Sequence, residues 1–269
     1  LLFMSSFFVV IAAFVGLVFY PPFQKYRFIL ISYVVTMALF LFFRAKNYYA
    51  LGLYPVLLAF GAVYLEAVFS NSWRYYLRAL AIAFVLVTAI PLLYLGFPVF
   101  DPATIASHTN LYQPLGLLRW EDGNDHLLPQ DFADMTGWKE LAQKTDSVYS
   151  QLPDKESTLV LCDNYGEAGA INYYSRFSNI QAVSFNADYI NWMPLKKPIK
   201  NAILVKDMYD SDSTREKEKP LFNSVSYSGQ IENPYAREKG TKIYLLLGAK
   251  TDINSLLRNE IERRRPAKP

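Results

Sequence analysis

Hydrophobic positions fall into two regimes along this chain. From Leu1 to Phe100 they run in long blocks separated by short polar hinges; beyond Asp101 they recur singly, at helix or strand spacing. The blocks are Leu1–Tyr20, which carries no charge, then about 28–43, 48–69 and 79–100, the last with Pro91 inside it. A helix of about 20 residues rises about 30 Å, one hydrocarbon core. The pattern therefore predicts four transmembrane spans. A proline within a span is tolerated where neighbouring helices or water satisfy the freed carbonyl.

Beyond residue 100 the chain reads first as irregular surface loop, to about Gln130. Thr136 then caps an expected helix running to about Gln151, with Trp138, Leu141, Ala142, Thr145, Val148, Tyr149 and Leu152 on one face. Pro153 ends it. Ser157–Cys162 reads as a buried strand, Gly166 marks a bend, and a helix follows from about Glu167 to Ser175. Further strands are expected at Ile180–Phe185, Ala202–Lys206 and Lys242–Leu247. The Asp210–Pro220 loop reads as a solvated, mobile excursion. Ile253, Leu256, Leu257 and Ile261 share one face of a short terminal helix, and the basic Arg263–Lys268 end is solvated or touches headgroups. Strand–helix–strand order predicts a sheet at least partly parallel. The expected architecture is an α-helical membrane bundle (1–100), a small α/β domain (101–250) and a basic C-terminal helix and tail (251–269).

Charge sharpens the division. Of 269 residues, 27 are Lys or Arg and 24 are Asp or Glu, a formal net charge of +3. Yet the first hundred residues hold only seven charged side chains (Lys25, Arg27, Arg44, Lys46, Glu66, Arg74 and Arg78), net +5, against −2 for the rest. This excludes a soluble globular protein, a disordered chain and a disulfide-rich module. A net-negative polar block also argues against a nucleic-acid partner. The leading block lacks a basic segment and a cleavage site, and three more blocks follow it, so it reads as a span rather than a signal peptide. Because the chain opens mid-run without Met, a preceding part is expected. Four spans put Lys25/Arg27 and Arg74/Arg78 on one side, and Arg44/Lys46 with the polar block on the other. The richer side should be cytoplasmic, which sends the α/β domain outside the cell's inner membrane. A single cysteine, Cys162, forms no internal disulfide and suits that compartment.

That orientation makes Phe42–Pro55 unusual, since it places Arg44 and Lys46 on the outer side beside Tyr48, Tyr49 and Tyr54. Two readings stand: snorkelling cations with an aromatic belt, or a site for an anionic lipid headgroup, with Arg44 gripping phosphate through its planar fork. Glu66 reads as interfacial. His108 and His126 have no Cys or paired carboxylate at metal-ligand spacing, no hydrolase triad is supported, and nucleotide-binding glycine signatures are absent. No cofactor is identified. Ligands of α/β sheets gather at the carboxyl ends of strands, which singles out Asp163, Asn164, Tyr165 and Glu167. Tyr165, Tyr173, Tyr174, Tyr189 and Trp192 are rings that stack on sugars or pack in a core.

Five stretches together resemble the C-terminal part of bacterial membrane glycosyltransferases of family 39, the group of protein O-mannosyltransferases and lipid A aminoarabinose transferases. They are RAKNYYALGLYPVLLAFGAVYLE (44–66), GWKELAQKTDSVYSQLP (137–153), DNYGEAGAINYYS (163–175), FNADYINWMP (185–194) and ENPYAREKGTKIYLLL (232–247). The resemblance implies the multi-span GT-C fold. It also implies inverting transfer of a sugar from a polyprenyl-phosphate carrier to a glycan, lipid or protein acceptor at the outer face. Lys46, Tyr48 and Tyr49, with Arg44 beside them, match the external loop that helps hold the carrier phosphate in such enzymes; Asn164, Tyr165 and Glu167 become candidate acceptor or sugar contacts. Family members carry their acidic catalytic groups in a first external loop, and the only carboxylate in the first hundred residues here is Glu66. The general base is thus expected outside this chain, and the chain alone is expected to be inactive. The competing class is a non-catalytic membrane anchor with an external binding domain. A transporter has no mid-span charge to support it.

Overall fold

The computed structural model describes residues 6–70 and 72–264. The chain divides into two compact units between Val99 and Phe100. Leu1–Ser5, the start of the first expected span, and residues 265–269, most of the basic tail, lie outside the described residues.

The first unit is helical: α1 (Phe7–Phe19), α2 (Arg27–Phe42), α3 (Tyr54–Val68) and α4 (Tyr76–Gly96). The 3-10 turns Pro21–Tyr26, Asn47–Leu53 and Ser72–Tyr75 lead into α2, α3 and α4. Among the described residues, three helical runs are long and apolar enough to cross a membrane: Pro21–Phe42, Tyr48–Val68 and Trp73–Gly96. The described part of the first block, α1, is apolar but only 13 residues long. The last run starts six residues earlier than the expected 79 and ends at Gly96, with Pro91 inside α4.

Small residues let α1 and α3 approach closely, as membrane helices do where no water drives apolar contact. A Cβ added at Gly61 would lie 2.0 Å from the Val9 carbonyl oxygen, and one at Gly16 would lie 3.0 Å from Tyr64 Cγ. Around this seam Ala13, Leu17, Phe23 and Leu57 are buried. Gly61→Ala must push backbone from backbone, a cost of about 1–3 kcal/mol. Gly52→Ala, which meets nothing within 4 Å, should change stability by less than about 0.5 kcal/mol. Thermal melts of the two variants in nanodiscs check this; equal melting would disprove the tight seam.

The second unit is a three-layer α/β fold. Short helices α5 (Pro102–Ser107), α6 (Thr109–Tyr112) and α7 (Gln130–Ala133) occupy a stretch expected to be irregular. Then come α8 (Trp138–Ser150), β1 (Thr158–Cys162), α9 (Tyr165–Tyr174), β2 (Ala182–Ser184), β3 (Asn201–Lys206), β4 (Phe222–Gln230), β5 (Lys242–Ala249) and α10 (Ile253–Arg264). The sheet order is β2-β1-β3-β5-β4. β1 pairs parallel with β2 and β3, while β5 runs antiparallel to both β3 and β4.

Strand alternation sorts the apolar residues onto two covered faces, which is why β1 and β3 read as continuous hydrophobic runs. Val160, Cys162, Ile203, Val205 and Ile243 pack with Leu141, Val148 and Tyr149 of α8 and Ile171 of α9. Leu159, Leu204, Tyr244 and Leu246 pack with Ile253 and Leu257 of α10. Each buried aliphatic side chain contributes about 1.5–3 kcal/mol of transfer free energy.

Two local expectations are corrected. Thr136 does not cap α8; its hydroxyl donates to the Ala133 carbonyl, and Gly137, in the left-handed region at φ 88°, takes the cap position. Nor is Asp210–Pro220 a solvated excursion throughout, because Arg215 within it is only 2% exposed.

Candidate functional site

Three helix ends in the first unit carry an arginine, and they use it differently. Helix ends leave carbonyls without intrahelical partners. At α1, Arg27 donates from Nη2 to the Val18 carbonyl at 2.7 Å. At α3, Arg78 donates from Nη2 to the Glu66 carbonyl at 2.9 Å, and its Nη1 lies 3.7 Å from the Glu66 carboxylate. At α2 the backbone closes the helix instead. Ala45 N–H donates to Phe40 O at 2.8 Å and Arg44 N–H to Leu41 O at 3.3 Å, with Arg44 at φ 50°. This is the Schellman arrangement, whose left-handed position favours glycine. An arginine there costs about 1 kcal/mol relative to glycine. Its guanidinium is exposed and makes no hydrogen bond among the described residues.

Next to it, Lys46 Nζ stands 6.0 Å from the centre of the Tyr48 ring, and the Tyr48 and Tyr49 rings meet edge to face at 4.8 Å. Both tyrosines are half exposed. Arg44, Lys46, Tyr48 and Tyr49 thus share one short segment between two membrane-length helical runs, and the structure puts the last three in contact in sequence order. Two cations with adjacent phenol hydroxyls can take a phosphate by charge-assisted hydrogen bonds. Glu66 and Arg78 sit at the other end of α3, on the rim of an apolar cleft of about 370 Å³ lined by Phe8, Leu65, Ile82 and Val85.

Asn164, Tyr165 and Glu167 belong to the second unit, at the turn from β1 into α9. Asn164 Oδ1 accepts from Glu167 N–H at 2.9 Å, and Glu167 Oε2 accepts from Asn164 N–H at 3.1 Å: a reciprocal capping box. Oε2 also accepts from Asp163 N–H at 2.9 Å. Glu167 is fully buried, and its Oε1 has no hydrogen-bond partner. Burial, with Asp163 and Glu238 nearby, pushes its carboxyl up to about 8 against the stabilising effect of the two backbone N–H groups. Asn164 and Glu167 thus fix the start of α9, while the Tyr165 ring is exposed. Asp163 accepts from Lys206 Nζ at 2.6 Å, joining the ends of β1 and β3. Burial pushes the Cys162 thiol well up, so it stays a neutral core group.

A further crevice, of about 270 Å³, is lined by residues following β3, by the β4–β5 connection and by the loop before α7. That loop is a small hairpin: Arg119 and Asp125 bridge antiparallel, Trp120 N–H donates to Asn124 O at 3.0 Å, and Gly123 turns at φ 81°. The hairpin holds an aromatic pair. The Trp120 and His126 rings stack at 3.6 Å and 14°, and Trp120 Nε1 donates to the Leu128 carbonyl at 2.8 Å. His126 Nε2 is 2.9 Å from Asp122 Oδ2, and Asn124 N–H donates to Asp122 Oδ1 at 2.9 Å. The Asn124 amide and then His126 hold the Asp122 carboxyl below its ordinary range.

The carboxyl-end rule that selects the β1 turn applies equally to Asp207–Tyr209 after β3, so Met208 and Tyr209 of this crevice are within reach of the sequence. The hairpin is not, because nothing in LRWEDGNDHLLPQ announces a ring stack. Among the described residues no group of three His, Cys, Asp or Glu is placed to hold a metal ion. Comparison with protein-family models, curated proteins and solved structures finds no match.

Proposed function

We propose that this chain is part of an integral-membrane glycosyltransferase of GT-C type that moves a sugar from a polyprenyl-phosphate carrier to an acceptor at the outer face of the inner membrane. The observation that carries the reading is Arg44. At two other helix ends the arginine is consumed by capping; here the backbone caps α2, and Arg44 stays exposed in the same loop as Lys46, Tyr48 and Tyr49. A costly left-handed arginine is better explained by use than by anchoring. In the reaction an acceptor hydroxyl loses its proton to a base outside this chain and attacks the sugar's anomeric carbon. The bond to the carrier phosphate breaks, and Arg44 and Lys46 stabilise the charge left on that phosphate. Tyr48 and Tyr49 orient it by hydrogen bonds. On the acceptor side, Tyr165 is the contact that the capping by Asn164 and Glu167 presents.

Arg44→Gly tests this cleanly. Glycine suits the left-handed position, so the variant in the full-length enzyme should melt no lower than the parent and gain up to about 1 kcal/mol. Turnover at subsaturating polyprenyl-phosphate sugar should nevertheless fall at least about tenfold, and further with Lys46→Gln. Unchanged turnover in the double variant returns the loop to membrane anchoring.

A further inference from the structure

We propose that the crevice bounded by Trp120, His126, Asp122, Tyr209, Tyr235 and Lys239 is a binding site for a neutral saccharide. It stands whether or not the chain belongs to a glycosyltransferase, and no residue of the Arg44 loop or the α9 turn lines it.

The crevice is preorganised. An exposed hairpin spends its internal hydrogen bonds on holding one indole and one imidazole face to face, with Asp122 fixed against the imidazole. Core packing does not require this, since His126 and Asp122 are partly exposed. Side chains fixed before binding avoid the ordering cost that weakens most polar recognition. Apolar walls with a few placed polar groups are the general form of a small-ligand site, and this crevice is near the small end of their volumes.

Its surface is both aromatic and polar. Flat rings (Trp120, Tyr209, Tyr235) stand among groups that donate and accept hydrogen bonds (Asp122, His126, Lys239). A pyranose has the matching character: an apolar face of C–H bonds and a rim of hydroxyls. Tyr209 is 78% exposed, so its ring is open to a ligand.

Charge decides between a neutral and an anionic ligand. Arg237 Nη1 is 3.1 Å from both Asp134 carboxylate oxygens, and its Nη2 is 3.6 Å from Glu121. It is therefore compensated within the fold. Lys239 and Asp122 then line the crevice with opposite charges and leave no surplus of positive charge, whereas phosphate or carboxylate recognition needs one. Position agrees: the crevice lies at the carboxyl end of β3, where open α/β sheets bind ligands.

The experiment is direct binding by the full chain in phospholipid nanodiscs, since maltoside detergents would present sugar themselves. The probes are methyl glycosides and tetrasaccharides of mannose, glucose, galactose and N-acetylglucosamine, followed by saturation-transfer NMR and tryptophan fluorescence. At least one probe should bind with a Kd of roughly 0.1–5 mM. Tyr209→Ala and Asp122→Asn, both at exposed positions and checked by circular dichroism, should each weaken it at least about tenfold. No binding by any probe at about 20 mM, or a bound probe unaffected by both variants, overturns the proposal. No donor lipid is present, so the result does not depend on turnover.

Discussion

Arg215→Ala is expected to destabilise the α/β unit by about 3–5 kcal/mol, the cost of removing one partner from a buried ion pair. Arg215 Nη2 is 2.6 Å from Asp210 Oδ1, its Nε is 3.9 Å from Glu218 Oε2, and Nε and Nη2 both donate to the Asp212 carbonyl. The guanidinium lies 5.0 Å from the centre of the Tyr244 ring, whose hydroxyl donates to Ser213 O at 3.2 Å. Asp210 is also 3.6 Å from Lys206, which bonds Asp163. Arg215 therefore gathers the loop's own acceptors and packs it on Tyr244 of β5, while Lys206 ties Asp210 to β3. Alanine leaves Glu218 half-buried without its cation and Asp210 with only the more distant Lys206. In thermal melts the loss corresponds to roughly 6–20 °C for a unit of this size, and hydrogen exchange in Asp210–Pro220 should accelerate. Arg215→Met with Asp210→Leu and Glu218→Leu should recover much of it, because apolar replacement of a buried charge cluster is often neutral. A single variant melting within 2 °C of the parent would mean that the loop is solvated after all.

This loop shows where the sequence stops being informative. DSDSTREKEKP has the composition of a solvated excursion, and composition cannot tell that one of its cations turns inward. By contrast, β1, β3, β5 and α8 are legible because their apolar residues follow one period each and both sheet faces are covered. β4 escapes for the opposite reason: Phe222–Gln230 is an edge strand with only Phe222 buried, and its Ser, Asn and Gly residues carry no hydrophobic alternation. Of the candidate site, the cations and tyrosines at 44–49 could be read from residue type and place. That Arg44 would occupy a glycine-favouring position could not, since φ is set by the tertiary course of α2 into the next helix. The N-cap role of Asn164 and Glu167 was readable as N-x-x-E before a helix. Their place at a strand end also makes them candidate ligand contacts, and in the fold both side chains are engaged in the capping box.

Glu167 yields the strongest pH prediction. Its carboxyl titrates near 4.5 when exposed and about 8 in the folded protein, chiefly through burial. Between those values the folded chain holds one proton more than the unfolded chain, so stability falls as pH rises, by about 1.4 kcal/mol per unit. The contribution is full below 4.5 and lost by the time pH passes 8, a total on the order of 3–5 kcal/mol. Glu167→Gln keeps an oxygen for the Asp163 and Asn164 N–H groups and cannot ionise. It should raise stability at pH 8.5–9 by a few kcal/mol, less about 1–3 kcal/mol for a side-chain amide placed where Oε1 has no partner. At pH 5 that penalty alone remains, so the variant should be the less stable protein there. The two stability curves must therefore cross between pH 5 and 9, which hydrogen exchange in α9 can follow segment by segment. Parallel curves would mean that Glu167 is ionised in its buried cap and that solvent reaches it in solution.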